Sequence, residues 1–305
     1  MRQTALTTVY ELAKTDPRIV FVGSDLGVGV LNNFKTEMPD RFFMEGISEQ
    51  HVVGMSAGLA MEGMIPYVST IATFLSRRCY EQVVLDLCLH KQKVRLISTG
   101  GGLVYAPLGP THLAIEDISL MRVLPGMAVL VPADAVEMKK ALTATVDYPG
   151  PVYIRVAKGG DEIVTPADAE FKLGAPVVYA SGRDLVLITT GVTLQLALKA
   201  TKVLKEQGIA ASLIHLPTVA PLDTGALLRL LEPHKKIVTI EEHLREGGIG
   251  SIVSEHLAES GRATPFQVTR IGIPRAFPHE YGNQESLMKA CGISVESILA
   301  ACGVL

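Results

Sequence analysis

An α/β protein of two doubly wound domains, the second smaller than the first, is the architecture that this sequence predicts. Three observations carry that prediction. Apolar, β-branched runs of strand length alternate with longer stretches of helical period, the pattern of a largely parallel sheet with helical crossovers. The alternation breaks once, after Arg155, at the polar stretch Ala157-Lys158-Gly159-Gly160-Asp161-Glu162, which leads through Thr165-Pro166-Ala167-Asp168 to Phe171. A chain of 305 residues also has the length of one large domain or two ordinary ones. Together these set a first domain at 1–160, a linker at 161–180 and a second domain at 181–305.

In the first domain the apolar runs predict strands at Ile19–Gly23, Pro66–Thr70, Val94–Ser98, Ala128–Val131 and Val152–Arg155. Helical period predicts helices near Gln3–Lys14, Glu49–Glu62, Phe74–His90 and Ala133–Thr145. The second domain repeats the pattern on a smaller scale. Asp184–Thr189, Ala211–His215, Lys236–Ile240 and Gln267–Ile271 read as strands. Leu194–Gln207, Thr224–Leu231, Gly250–Ala258, Glu285–Ala290 and Val295–Ala301 read as helices. Because helices connect the strands, parallel order is the default.

Composition narrows the function. Lys and Arg number 28 against 31 Asp and Glu, a net charge of −3. With no basic block, neither nucleic acid nor a membrane surface is an expected partner. No apolar run reaches the ~18 residues of a membrane span, and the opening Met1-Arg2-Gln3-Thr4 begins an amphipathic helix rather than a signal peptide. Cys79, Cys88, Cys291 and Cys302 form no metal-ligand spacing, so no metal site is expected on this chain. They read as reduced thiols of a soluble cytoplasmic protein.

Glu49 stands out within Gly46-Ile47-Ser48-Glu49-Gln50, where a loop enters a nearly uncharged helix. The next acidic residue is Glu62, and Gly54, Ala57 and Gly58 form a small-residue face that lets another backbone approach. Such a helix should be packed on most sides. A buried carboxylate makes stronger hydrogen bonds, so Glu49 can face a basic ring nitrogen of a ligand. The local alternative is that Ser48 caps the helix and Glu49 complements its dipole.

Other candidates carry similar pairs of readings. Asp25, at the carboxyl end of the first strand, is either a ligand contact or a turn former. Phe74, in Thr73-Phe74-Leu75-Ser76-Arg77-Arg78, is either core or a face for stacking a heteroaromatic ring. Gly100-Gly101-Gly102 and Leu108-Gly109-Pro110-Thr111-His112 bracket a long loop that delivers His112 just before Leu113-Ala114-Ile115 begins a helical run. His112 is then a surface residue or a proton-transfer group beside a cleft. Arg155 grips a phosphate or carboxylate, or forms a salt bridge. Gly247, Gly248 and Gly250 at a helix start suit an anion or tight packing.

Taken in order, Gly46-Ile47-Ser48-Glu49-Gln50, Thr73-Phe74 with Arg78 and Tyr80-Glu81-Gln82, Gly109-Pro110-Thr111-His112, and Glu241-Glu242-His243 with Glu246-Gly247-Gly248-Ile249-Gly250 resemble the C-terminal half of transketolases. The resemblance covers essentially the whole chain. The same order occurs less closely in deoxyxylulose-phosphate synthase and more distantly in the beta subunits of 2-oxoacid dehydrogenases.

The resemblance implies thiamine diphosphate as cofactor and identifies the two domains as the pyrimidine-binding and C-terminal domains of that family. The family's diphosphate domain holds Mg²⁺ through a Gly-Asp-Gly motif, because two phosphates need a hard cation with oxygen ligands. No Gly-Asp-Gly occurs in this sequence. The chain therefore resembles one subunit of a split transketolase. A separate N-terminal subunit is expected to supply Gly-Asp-Gly, Mg²⁺ and the diphosphate site, within a heterotetramer of two copies of each chain. Glu49 would pair with N1′ of the aminopyrimidine and activate the cofactor, and Phe74 would stack on the pyrimidine. The same resemblance assigns Asp25, Ile47 and Arg78 to the cofactor. His112 would meet hydroxyls or the carbonyl of a sugar substrate, and Arg2, Arg78 and Arg155 are candidates for its phosphate. A two-carbon ketol unit would pass from a ketose to an aldose.

Two positions depart from the family pattern. Leu108 stands where an acidic residue usually precedes Gly-Pro-Thr-His, and Thr99-Gly100-Gly101 stands where a histidine is usual. Rival readings are a beta subunit of a 2-oxoacid dehydrogenase, opposed by the Gly-Pro-Thr-His turn, and a catalytically silent interaction subunit, opposed by Glu49, Phe74 and His112 together.

Overall fold

The computed structural model of the protein describes residues 1–24, 28–157, 159–262 and 265–304. The candidate Asp25 lies outside the described residues. Two compact units form, Met1–Gly101 with Leu120–Leu173, and Gly102–Ser119 with Gly174–Leu305.

The first unit begins with α1 (Arg2–Thr15), whose Ala5, Leu6, Val9 and Ala13 share one buried face at helical spacing. β1 (Ile19–Gly23) is buried at all five residues, as a strand covered on both faces must be. α2 (Asn32–Glu37) and β2 (Phe42–Met44) follow, then α3 (Glu49–Met61) and β3 (Ile65–Ile71). Next come π-helical turns at Phe74–Arg78 and Val83–Leu89 around the short α4 (Tyr80–Gln82), and β4 (Arg95–Thr99). α5 (Asp117–Arg122) brings the chain back to this unit, which is completed by β5 (Ala128–Leu130), α6 (Ala135–Ala144) and β6 (Val152–Val156). Its strands lie in the order β5-β6-β4-β3-β1-β2, each pair parallel.

That order sets the site. Gly23 stands in register with Met44 of β2 and Ser69 of β3, so the three strands end at one edge of the sheet. Ser24 Oγ donates to Thr70 Oγ1 at 2.8 Å across that edge. The connections leaving β2 and β3 start there, one leading to Glu49 and the other to Phe74. Arg155 reaches the same edge through Thr70, which pairs with Ser98, which pairs with Arg155. Carboxyl ends of parallel strands are where ligands gather in open α/β sheets.

Lower in the sheet, Arg95 is fully buried. Its guanidinium donates to the carbonyls of Gly150, Val146 and Tyr148, each at 2.8 Å. Burial pulls its pKa down to about 10, and the carbonyls replace the water it has lost.

In the second unit the elements are β7 (Val177–Ala180), β8 (Leu185–Thr189), α7 (Thr193–Glu206), β9 (Ala211–His215) and β10 (Thr218–Ala220). α8 (Thr224–Leu231), β11 (Lys236–Leu244), α9 (Ile249–Glu259), β12 (Gln267–Ile273), α10 (Gln284–Ala290) and α11 (Val295–Cys302) complete it. The sheet order is β12-β11-β8-β9-β7, parallel except for β7, which pairs antiparallel with β9 at the edge. Among the described residues, no helix is long and apolar enough to cross a membrane.

Candidate functional site

Glu49 is delivered by a tight turn. Gly46 has φ of +67°, which a side chain with a Cβ adopts at a cost, and Glu45 N donates to Gly23 O at 3.0 Å. Ser48 occupies the N-cap position, but its hydroxyl donates to Glu45 O at 2.8 Å and makes no capping bond. The capping reading of Ser48 is corrected accordingly: the hydroxyl ties the turn together instead. Glu49 opens the first turn of α3 with a side chain only 1% exposed.

The partner of that carboxylate is Arg78, whose Nη1 lies 2.6 Å from Oε2. Arg78 also places its guanidinium 4.1 Å from the centroid of the Phe74 ring. The wide turn at Phe74–Arg78 allows one residue to meet both groups. Because the Arg78 side chain is 42% exposed, water screens the pair, which contributes about 1 kcal/mol rather than the value of a dry ion pair. Stacking on Phe74 adds about 0.5–1 kcal/mol.

Two hydroxyls lie on the turn that carries Phe74 and Arg78. Thr73 Oγ1 and Ser76 Oγ are buried and have no hydrogen-bond partner among the described residues. Buried polar groups are rarely left so; Thr73 precedes Phe74 in the chain and Ser76 lies two residues after it. Both residues were visible in the sequence, but only their position on a buried turn shows that their hydroxyls lack protein partners. Cys79 beside them is inert: burial and then the Glu49 charge push its thiol up to about 12.

α3 differs from its expected surroundings. Val52, Val53, Ser56 and Ala57 are buried within the chain, yet Gly58 meets nothing within 4 Å and Gly54 meets only Asp86 Oδ2 at 3.8 Å. The helix is packed on one side: of its small residues Ala57 is buried, Gly54 half-buried and Gly58 exposed.

The remaining predicted residues are spread more widely. Arg155 is 6% exposed and lies against the face of Gly101. Ile47, two residues before Glu49, is 70% exposed, and Arg2 is exposed in the first turn of α1. Neither is a partner of the Glu49 carboxylate. His112 belongs to the second unit, half-buried, with Nδ1 2.9 Å from Thr111 Oγ1 and its N–H donating to Gly109 O at 3.0 Å. The helical run expected from Leu113 is replaced by extended chain: Ala114 bridges Gly102, and helix begins only at Asp117. The Gly109-Pro110 turn sends the chain back on itself, and pairing then outweighs the local helical pattern.

At α9 the anion reading of the glycines is answered within the protein. Glu241 accepts from Ile249 N at 2.8 Å and from Gly250 N at 3.0 Å, so its own carboxylate fills the helix N-terminus.

A basic, planar heteroaromatic ring fits the Glu49 cluster. The carboxylate suits a ring nitrogen, and Phe74 offers a face for stacking. Among the described residues, no group of three or more His, Cys, Asp or Glu residues that could hold a metal ion occurs.

The family model of the transketolase pyrimidine-binding domain matches residues 1–160, and that of the transketolase C-terminal domain matches residues 174–298. An apulose-4-phosphate transketolase subunit of Phocaeicola vulgatus is 37% identical over 299 residues, covering 97% of this chain and 94% of that protein. 1-Deoxy-D-xylulose-5-phosphate synthase 1 of Geobacter sulfurreducens is 38% identical over 298 residues; the match takes in 96% of this chain but only 46% of the synthase. A solved structure of a split gene transketolase, an inactive beta4 tetramer, superimposes with a TM-score of 0.90 at 34% identity, over 99% of this chain and 96% of that one.

Proposed function

The chain belongs to the transketolase family, of which it carries the pyrimidine-binding and C-terminal domains, and from that premise we infer that it is one subunit of a two-chain transketolase that moves a two-carbon ketol unit from a ketose to an aldose. The observation that carries this reading is Glu49, a carboxylate 1% exposed that stands beside Phe74 with a half-exposed arginine as its partner.

When bound, thiamine diphosphate supplies the electron sink that allows the C2–C3 bond of a ketose to break. Glu49 holds the proton at the ring nitrogen N1′ of the pyrimidine, and burial makes that hydrogen bond strong. Phe74 offers the face against which the pyrimidine stacks. Arg78 pairs with one oxygen of Glu49, Oε2, and would leave the other to the ring nitrogen. Ile47, two residues before Glu49 and 70% exposed, and Asp25 are the further cofactor contacts of this reading. His112, oriented by Thr111 at Nδ1, hydrogen-bonds hydroxyls or the carbonyl of the sugar. Arg155 and Arg2 are the cations for a substrate phosphate; the Phocaeicola vulgatus relative is named for a phosphorylated sugar. Leu108, 51% exposed, replaces an acidic contact and selects a sugar that needs none there.

Mg²⁺ and the diphosphate are held by a separate chain with the Gly-Asp-Gly motif, and two copies of each chain form a heterotetramer. The exposed side of α3, with Gly58 open and Met61 55% exposed, supports an assembly in which this chain meets another. The reading is tested by mixing the chain with such a partner, thiamine diphosphate, Mg²⁺, a ketose and an aldose. Ketol transfer is expected only in the mixture, and turnover by this chain alone would refute the division of labour.

A further inference from the structure

Glu242 is a buried charge that the cofactor chemistry does not use. β11 ends in Glu241-Glu242-His243 and Leu244, and the side chains of the first three are buried. Glu241 turns toward α9. Glu242 turns toward the segment Gly102–Ser119: Oε1 accepts from Leu103 N at 2.7 Å, and Gln284 Nε2 donates to both of its oxygens at 3.0 Å. Gly102 has φ of +71°, and a Cβ there would stand 2.6 Å from Glu242 Cδ, so backbone and carboxylate are fitted to each other.

The next two residues of β11 hold the same segment further along. His243 Nδ1 lies 2.7 Å from Leu244 O, which makes it the protonated nitrogen, so Nε2 accepts from Ser119 N at 3.3 Å. Leu244 N donates to Ile115 O at 2.8 Å. Three consecutive residues therefore fasten the start, the middle and the end of one loop, and that loop carries Gly109-Pro110-Thr111-His112. Only the first fastening uses an ionisable carboxylate oriented by a second side chain.

We propose that Glu242, oriented by Gln284, is a positioning residue that fixes the His112 loop, so that the C-terminal domain tunes how the enzyme handles its ketose. The proposal rests on the reading of His112 as a substrate contact. A carboxylate bonded to a backbone N–H holds it more strongly than a neutral amide does. In Glu242→Gln the new amide places an NH₂ group against either Leu103 N–H or the Gln284 amide, and one hydrogen bond is lost. In the exchanged pair Glu242→Gln with Gln284→Glu, the amide oxygen accepts from Leu103 N–H and its NH₂ donates to the new carboxylate, so the bond to Leu103 and one of the two bonds across the pair are remade.

The test uses the isolated chain for backbone amide hydrogen exchange across 102–112, and the reconstituted two-subunit enzyme for ketose kinetics and thiamine diphosphate affinity. Glu242→Gln is expected to speed exchange and to raise the ketose KM about tenfold, the effect of one charge-assisted hydrogen bond. Cofactor affinity stays unchanged, and the exchanged pair, which remakes the Leu103 bond to a neutral oxygen, restores part of both exchange and KM. Faster exchange with unchanged ketose kinetics overturns the positioning role, as does failure of the exchanged pair to rescue them. His112→Ala separates the layers: if it too leaves ketose kinetics unchanged, the substrate reading of the loop has failed, whereas impaired kinetics there confine the failure to Glu242.

Discussion

Replacing Glu49 with glutamine separates a chemical role from a structural one. The substitution keeps the size of the side chain and leaves an oxygen to accept from Arg78 Nη1, now 2.6 Å from the carboxylate. What is lost is the charge-assisted part of the bond, about 1 kcal/mol. Arg78 is 42% exposed, so its guanidinium regains water instead of remaining as a stranded buried cation. Ser48 makes no capping bond, and α3 loses no cap. Stability therefore changes by about 1 kcal/mol, a shift of roughly 2–4 °C in melting temperature for a domain of this size. An amide cannot exchange a proton with a ring nitrogen, so ketol transfer falls by about 10²–10⁴, the range of a lost general acid–base group. The assay is transfer by the reconstituted enzyme at saturating thiamine diphosphate and Mg²⁺, with thermal melting of the chain in parallel. Transfer within about threefold of wild type would refute the chemical role; a large loss of stability with proportionate loss of activity would return Glu49 to a structural one.

Phe74→Ala removes the stacking face and weakens cofactor binding by the reconstituted enzyme about tenfold, measured by titration, while Phe74→Leu recovers part of it. Arg95→Met strands the carbonyls of Gly150, Val146 and Tyr148 and costs about 3 kcal/mol or more in urea unfolding; a change below about 0.5 kcal/mol would show that those carbonyls find other donors. Asp134 tests the pH dependence: burial pushes its carboxyl up, but bonds from the N–H groups of Glu137, Thr165 and Val164 together hold it below the usual range. Its contribution is thus complete above the unfolded value of about 3.9 and is lost as pH falls through the folded one, so the stability gap between wild type and Asp134→Asn should close on acidification.

Strands and helices with sharp apolar boundaries were legible from sequence. Ile19–Gly23, Ala211–His215 and Thr224–Leu231 occur where the pattern ended. Phe42–Met44 is too short for a period to show, and β7 is partly exposed along its whole length, at an antiparallel edge that the helical crossovers gave no reason to expect. β11 runs to Leu244 although three ionisable residues argued for a stop at Ile240. Those side chains are buried because α9 and the His112 loop supply their hydrogen bonds, partners that lie far away in sequence. The same limit applied at the site. A carboxylate before an apolar helix marked Glu49, but its pairing with Arg78 depends on two connections leaving the same edge of the sheet.

The central claim is that this chain supplies the group that activates a cofactor held by another subunit. Its most direct test is the rate of deuterium exchange at C2 of thiamine diphosphate bound with Mg²⁺ to the Gly-Asp-Gly partner chain, with no sugar present. Adding this chain should accelerate that exchange by about 10² or more, and adding its Glu49→Gln form should not. Equal exchange with either form, or with neither, would contradict the account.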